Sequence, residues 1–490
     1  MCGNTIPGRI LFACFGFVAI AGCAGDSAAP TPMPALHADG TRIVDDLGNE
    51  VILKGVNLGG WLFNETWITQ IDYPLTSRIH LLVQQEPFAG KVDEVLRLGN
   101  DDWVGEGYLV EFQAALAERI GAEAAKGFVD KVRPYTPGLY DDSDLPLRRR
   151  LSERFGDDVR DELLDTFQRA WLAESDVEWI ARQGFNVVRV PISYRNLVVG
   201  PDVDRPTSLV FNERAWARIG VLLDWCETHR IYAVLDIQEC PGGQNDYTGT
   251  SLLYTDEALQ ALTVDLWKEI ATRFGGRSAV AAYSLLAEPF GAPDAAARDA
   301  MYDKLVQAIR GLGDQHLLVI HDGFLGMHTL PKPSAFGWTN VVYSTHIFEF
   351  SAKTYEDYDF LVNYVHDPLF TEAQADQNVP YYIGSFSTRF NEGWAYDAAE
   401  LLVNWYTRHR WSWSVWTYKR IDDPIGVQLF GKTSSYGVRG LLNGDFVRPD
   451  VFDDDISTLR TRMEGYGRLQ LDPNPTLLGI LQSGLQSAPP

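Results

Sequence analysis

The stretch GFNVVRVPISY, residues 184–194, carries the fold in miniature. Gly184 ends a helix that begins at Ser175, where Glu178 completes a capping box and Val177, Ile180 and Ala181 mark one apolar face. Behind the glycine, NVVRVPI (186–192) is a short apolar run rich in β-branched residues, the pattern of a strand buried on both faces. Its one charge is Arg189. A helix, a glycine and a buried strand together make the half-unit of an alternating α/β chain.

The same unit recurs on both sides. Further strands are expected at VILKGVNL (51–58), YAVLDI (232–237), VAAYSLLA (280–287), LLVIHDG (317–323), NVVYSTHI (340–347), PYYIGSF (380–386) and WSWSVWTY (411–418). Helices lie between them: Ile219, Leu222, Leu223 and Cys226 share one face, as do Leu259, Leu262, Leu266 and Ile270. Eight strands with helical connections predict a (β/α)8 TIM barrel over 39–475. ALHADGTRIVDDLGNEVILKG reads as an N-terminal β-hairpin with turns at Asp39-Gly40 and Leu47-Gly48-Asn49. Residues of about 72–175, between strands one and two, are too long for a loop and read as a helical insertion packed over the barrel. Residues 476–490 read as a tail.

The N-terminus predicts export. In RILFACFGFVAIAGC, Arg9 precedes an apolar run to Gly22 that is short for a membrane span and shaped like a secretory signal. Ile20-Ala21-Gly22-Cys23 resembles a bacterial lipobox, which implies cleavage after residue 22 and lipid attachment at Cys23. Residues 23–38 then form a Pro/Ala/Ser-rich tether. The expected location is the cell envelope, with the membrane met through the lipid alone. A formal net charge of −24 repels nucleic-acid phosphates and anionic lipid heads, so nucleic acid is excluded as a partner. No Cys/His spacing suggests a metal site. Fourteen tryptophans offer flat apolar platforms of the kind sugars stack on.

Polar residues gather at the strand ends, where such barrels keep their sites. In order these are Asn57, Trp61 and Trp67; Arg189; Asp236, Gln238 and Glu239; Glu288; His346; Ser385; and Trp416. Glu288, before a proline at the end of a buried strand, is hard to explain as packing, because an unpaired buried charge is costly.

Taken together, LKGVNLGGWLFNETW, GFNVVRVPISY, AVLDIQECPGGQN, SLLAEP, YSTHIF, YYIGSFS and VWTYK resemble glycoside hydrolase family 5, the cellulase-like retaining β-glycosidases of clan A, nearest in style to exo-β-1,3-glucanases. The resemblance spans about residues 40 to 420. It implies a β-linked glucan or glucoside as partner and no cofactor. It also implies two carboxylates, an acid/base and a nucleophile, about 5–5.5 Å apart. The acid/base falls on Glu288. The nucleophile falls on Ser385, where the glutamate is gone. Arg189 and His346 match the pattern of the catalytic surroundings, and Asn57, Trp61, Gln238 and Trp416 fall at substrate-binding positions. Three further departures accompany the serine: Ala287 replaces the motif's asparagine, Gln238 a histidine and Phe348 a tyrosine. A tyrosine hydroxyl aimed at the nucleophile loses its partner once the carboxylate goes, so the changes form a physical group.

Serine is a weak nucleophile without a base beside it, which speaks against standard retaining hydrolysis. Three readings follow. The first is an altered, inverting glycosidase, with Glu239 or Glu349 as the base. The second is a non-catalytic carbohydrate binder. The third is a scaffold whose insertion mediates protein contacts.

Overall fold

The apolar runs become strands because each is buried on both faces. The computed structural model describes residue 1 and residues 31–71, most of 110–132, 144–200, 206–245, 251–349, 351–388, 393–421, 437–441 and 446–486. The hairpin of β1 (Leu36–Asp39) and β2 (Arg42–Asp45) turns at Gly40, whose φ of +59° suits glycine. Asp45 closes the next turn by accepting the N–H groups of Leu47 and Asn49. Eight strands follow: β3 (Lys54–Asn57), β4 (Val187–Ser193), β5 (Tyr232–Glu239), β6 (Val280–Ser284), β7 (Leu317–His321), β8 (Val341–Ile347), β9 (Tyr381–Phe386) and β10 (Ser412–Val415). All pair in parallel with their sequence neighbours, and β10 closes on β3. This is the expected (β/α)8 barrel. Pro191, in the middle of β4, lies past the point where the ladder with β3 ends at Asn57 and Arg189, so its missing N–H costs no bond on that side. A small sheet of β11 (Lys419–Ile421), β12 (Arg439–Leu441) and β13 (Asp472–Pro473) follows.

The helices bear out the face assignments except at Ala181 and Leu262, which are half-buried, and shift some boundaries. Ile219, Leu222, Leu223 and Cys226 are buried on the helix Glu213–His229, and Leu259, Leu266 and Ile270 on the helix Glu257–Phe274. The helix expected to start at Ser175 starts instead at Glu174. There Asp176, not Glu178, accepts the free N–H of Ala173 at 2.9 Å. Glu178 pairs with Arg182 on the exposed face.

In the insertion, the described part contains the helices Ala122–Val132, Asp144–Phe155 and Asp157–Trp171; residues 72–109 lie outside the described residues. The helix Asp157–Trp171 is latched to the segment after β3 by two indoles. Trp171 Nε1 donates to Gly59 O at 3.0 Å, and Trp61 Nε1 donates to Gln168 O at 2.9 Å.

The expected tail is largely a helix, Pro475–Gln486. Leu477 and Leu481 are buried, and Gly484 O accepts from Lys54 Nζ at 2.6 Å. Its apolar face packs against the helix Ala395–His409, so this segment belongs to the barrel. Residues 2–30, which hold nearly all of the expected signal sequence, Cys23 and the first half of the expected tether, lie outside the described residues. Among the described residues, no helix is long and apolar enough to cross a membrane.

Candidate active site

Arg189 anchors the floor. It is the register partner of Asn57, and both side chains are sealed from solvent. Its Nη1 donates to Asn57 Oδ1 at 2.8 Å and its Nη2 to Gln238 Oε1 at 3.1 Å. Nη2 also lies 2.8 Å from Asp236 Oδ2. Burial raises the Asp236 carboxyl above its usual range, against the pull of the Arg189 charge. Asn57 Nδ2 donates in turn to the carbonyls of Gly384, Ser414 and Val415 at 3.0–3.2 Å.

Two expected substrate contacts are therefore reassigned. Asn57 ties β3, β4, β9 and β10 together, and its amide groups are spent inside the protein. Trp61 is 1 % exposed and bonded through its indole N–H, so it offers no face to a ligand. Gln238 is half-buried and engaged with Arg189. Trp416 is buried just past β10, with its backbone N–H donating to Phe386 O at 2.9 Å.

Glu288 follows β6 with a φ of +47°, although it is not glycine and precedes a proline. Such a backbone costs of order 1–3 kcal/mol and needs holding. Asn245 Nδ2 donates to Glu288 O at 2.8 Å. Gln244 Nε2 donates to Ala287 O at 2.9 Å and to Gln238 O at 2.7 Å. The loop after β5 thus fixes the Glu288 backbone. The carboxyl keeps 14 % of its side chain exposed, and its Oε1 lies 2.6 Å from His346 Nδ1. Burial raises the Glu288 carboxyl above its usual range, partly offset by His321 and Arg189. Burial, with help from the Arg189 charge, holds His346 well below the usual histidine range, so its ring is neutral at pH 7.

Ser385 is the register partner of His346 across β8 and β9, where the ladder shifts by one residue. A Cβ at the neighbouring Gly384 would lie 2.9 Å from His346 Nε2 and 3.0 Å from Ser344 Oγ, so the imidazole rests against this strand. Ser385 is 2 % exposed, and its Oγ has no hydrogen-bond partner among the described residues. The structure thus gathers Arg189, Glu288, His346 and Ser385 into one constellation.

Neither candidate base stands free. Glu239 is fully buried, 2.8 Å from Arg195 Nη1, and accepts the Ser193 hydroxyl. Glu349 Oε1 lies 2.6 Å from His366 Nε2. Sequence reasoning took no site residue from the fifth barrel strand, which ends at His321 with Asp322 just beyond it. The His321 ring meets His346 edge-on, with centroids 4.4 Å apart. Burial pushes Asp322 up to about 6. A polar pair closing the apolar run LLVI was the available signal. Gln244 and Asn245 had none, because they donate to the backbone carbonyls of Gln238, Ala287 and Glu288, which no residue pattern marks.

The family described as "Cellulase (glycosyl hydrolase family 5)" matches residues 162–421, more than half of the chain. A "Beta-xylosidase" of Phanerodontia chrysosporium is 26 % identical over 426 residues, covering 79 % of this chain and 71 % of the relative. "Glucan 1,3-beta-glucosidase 2" of Saccharomyces cerevisiae is 30 % identical over 241 residues, covering 43 % of this chain and 41 % of that one. Among solved structures, an endogalactoceramidase shares 18 % identity with a TM-score of 0.49, covering 88 % of this chain and 85 % of that one.

Proposed function

Since the chain belongs to the cellulase family of glycosyl hydrolases, family 5, we propose that its barrel mouth takes a β-linked glucan or glucoside, with Glu288 as proton donor to the leaving oxygen. The observation that carries this reading is Glu288 itself. It is a carboxyl with a raised proton affinity, on a strained backbone at the C-terminal face of the barrel, hydrogen-bonded to a neutral histidine. A carboxyl that holds its proton more tightly than usual suits general acid work. Ser385 at the nucleophile's position speaks against double displacement through a glycosyl-enzyme.

A second reading, a carbohydrate binder without turnover, is favoured by one specific observation. The two carboxylates weighed as replacement bases are already paired, Glu239 with Arg195 and Glu349 with His366.

Aryl β-glucosides and soluble β-glucans, offered to the wild type and to Glu288→Gln, separate the two. Turnover that falls by roughly 10²-fold or more in the variant is the expected outcome for an acid catalyst. Binding by both proteins with turnover by neither would leave only the binder. Absence of both binding and turnover would overturn the carbohydrate reading itself.

A further inference from the structure

Three buried donors near Glu288 lack acceptors among the described residues. The first is Ser385 Oγ. The second is His321 Nε2: the ring is 1 % exposed and its Nδ1 accepts the Gly323 N–H at 2.9 Å, which leaves the ring proton on Nε2. The third is Arg189 Nε, on a side chain whose other nitrogens are engaged with Asn57, Gln238 and Asp236. These groups belong to one network. Arg189 reaches β9 through Asn57, which donates to Gly384 O. His321 packs against His346, the register partner of Ser385. The carboxyl of this network, Glu288, is already bonded to His346.

Unserved buried donors are costly and are matched by a group that only accepts. Serine stops where glutamate would continue to its carboxylate, and the missing piece is close to a formate or acetate ion in size. We propose that the mouth of the barrel binds a small carboxylate, or a monoanion of like size, beside Ser385, and that this anion attacks the anomeric carbon in place of a side chain. This rests on the glycosidase reading of the site.

The step balances without a redox partner. An oxygen of the anion forms a bond to the anomeric carbon. The bond from that carbon to the leaving oxygen breaks, its electron pair going to the oxygen, which takes the proton of Glu288. The products are an alcohol and a glycosyl ester of inverted configuration. Water then hydrolyses the ester and returns the carboxylate, and Glu288 regains its proton from solvent.

The test follows the purified protein with an aryl β-glucoside in an amine buffer free of carboxylate. Formate, acetate or azide is added, with ionic strength held constant by chloride. Turnover is expected to rise saturably with formate, by roughly tenfold or more, and azide should yield the glycosyl azide of opposite anomeric configuration. Turnover independent of added anion overturns the proposal, as does glucoside binding without turnover at any anion concentration. Anion binding is read separately, without substrate. Formate should raise the melting temperature of the wild type and not that of Ser385→Glu, in which a tethered carboxylate takes its place. Should that variant fail to fold, His321→Phe, which keeps a ring and removes the Nε2 donor, must weaken the formate effect several-fold. No formate effect on the wild type refutes the anion site, whatever the turnover shows. A formate effect without glucoside binding refutes the glycosidase reading instead.

Discussion

Glu288 shows how much a single side chain here depends on its surroundings. Its carboxyl is raised by burial, so the folded state holds the proton more tightly than the unfolded chain does. Between the ordinary value of 4.5 and the raised one, the unfolded state has lost a proton that the native state keeps. The contribution to stability is therefore intact below about pH 4.5 and is lost as pH rises through the folded value. Glu288→Gln carries no such loss. Its melting temperature relative to the wild type should climb with pH above about 4.5 and then level off, and a flat difference would contradict the shift. The residue itself was legible in the sequence, as a carboxyl between a buried run and a proline. Asn57 was legible as a strand-end polar residue but not as a brace, because its four partners come from β4, β9 and β10.

Strands were easier to read than side-chain roles, because burial on both faces writes itself as a continuous apolar run. Six of the eight barrel strands fall inside the stretches expected for them, and β4 and β5 run one and two residues further, to Ser193 and Glu239. What the runs do not show is how closely neighbouring backbones approach. A Cβ on Gly55, in β3, would lie 1.8 Å from the Val187 carbonyl oxygen of β4, and no rotamer relieves a clash with backbone. Gly55→Ala should destabilise by about 3 kcal/mol or more, read as a fall in the urea midpoint. Gly276→Ala, where nothing lies within 4 Å, should stay close to wild type. The start of the helix Glu174–Arg182 makes the complementary point. Two acidic residues stood within reach of its first turn, and only the folded geometry selects Asp176 over Glu178.

The barrel as a whole is closed by segments far apart in the chain. Lys54 opens β3, and its ammonium donates to Gly484 O near the other end of the sequence. The helix that supplies this carbonyl also buries Leu477 and Leu481 against the helix Ala395–His409. A chain ending at residue 474 would expose that apolar face and leave the Lys54 amine, already lowered in proton affinity by burial, without its carbonyl. Such a truncation should cost roughly 4 kcal/mol or more, measured as melting temperature. Native-like stability would mean that the helix is dispensable. The segment read as a tail because it follows the last recognisable strand. Its pattern, PTLLGILQSGLQ, is apolar enough to pack but does not say against what.

Periodicity was enough for the barrel and the order of its strands, and resemblance of short motifs for the family's marks at their ends, because these are properties of neighbouring residues. Which polar groups pair with one another was decided only by closure of the barrel. Glu239 found Arg195, Glu349 found His366, and Trp61 turned its indole to Gln168. Each removed a candidate that sequence position alone had left open. Closure likewise set His346 between Glu288 and the strand that carries Ser385. A buried charge must be met by whichever partner the fold brings near, and residues dozens or hundreds of positions apart become neighbours only once the last strand pairs with the first.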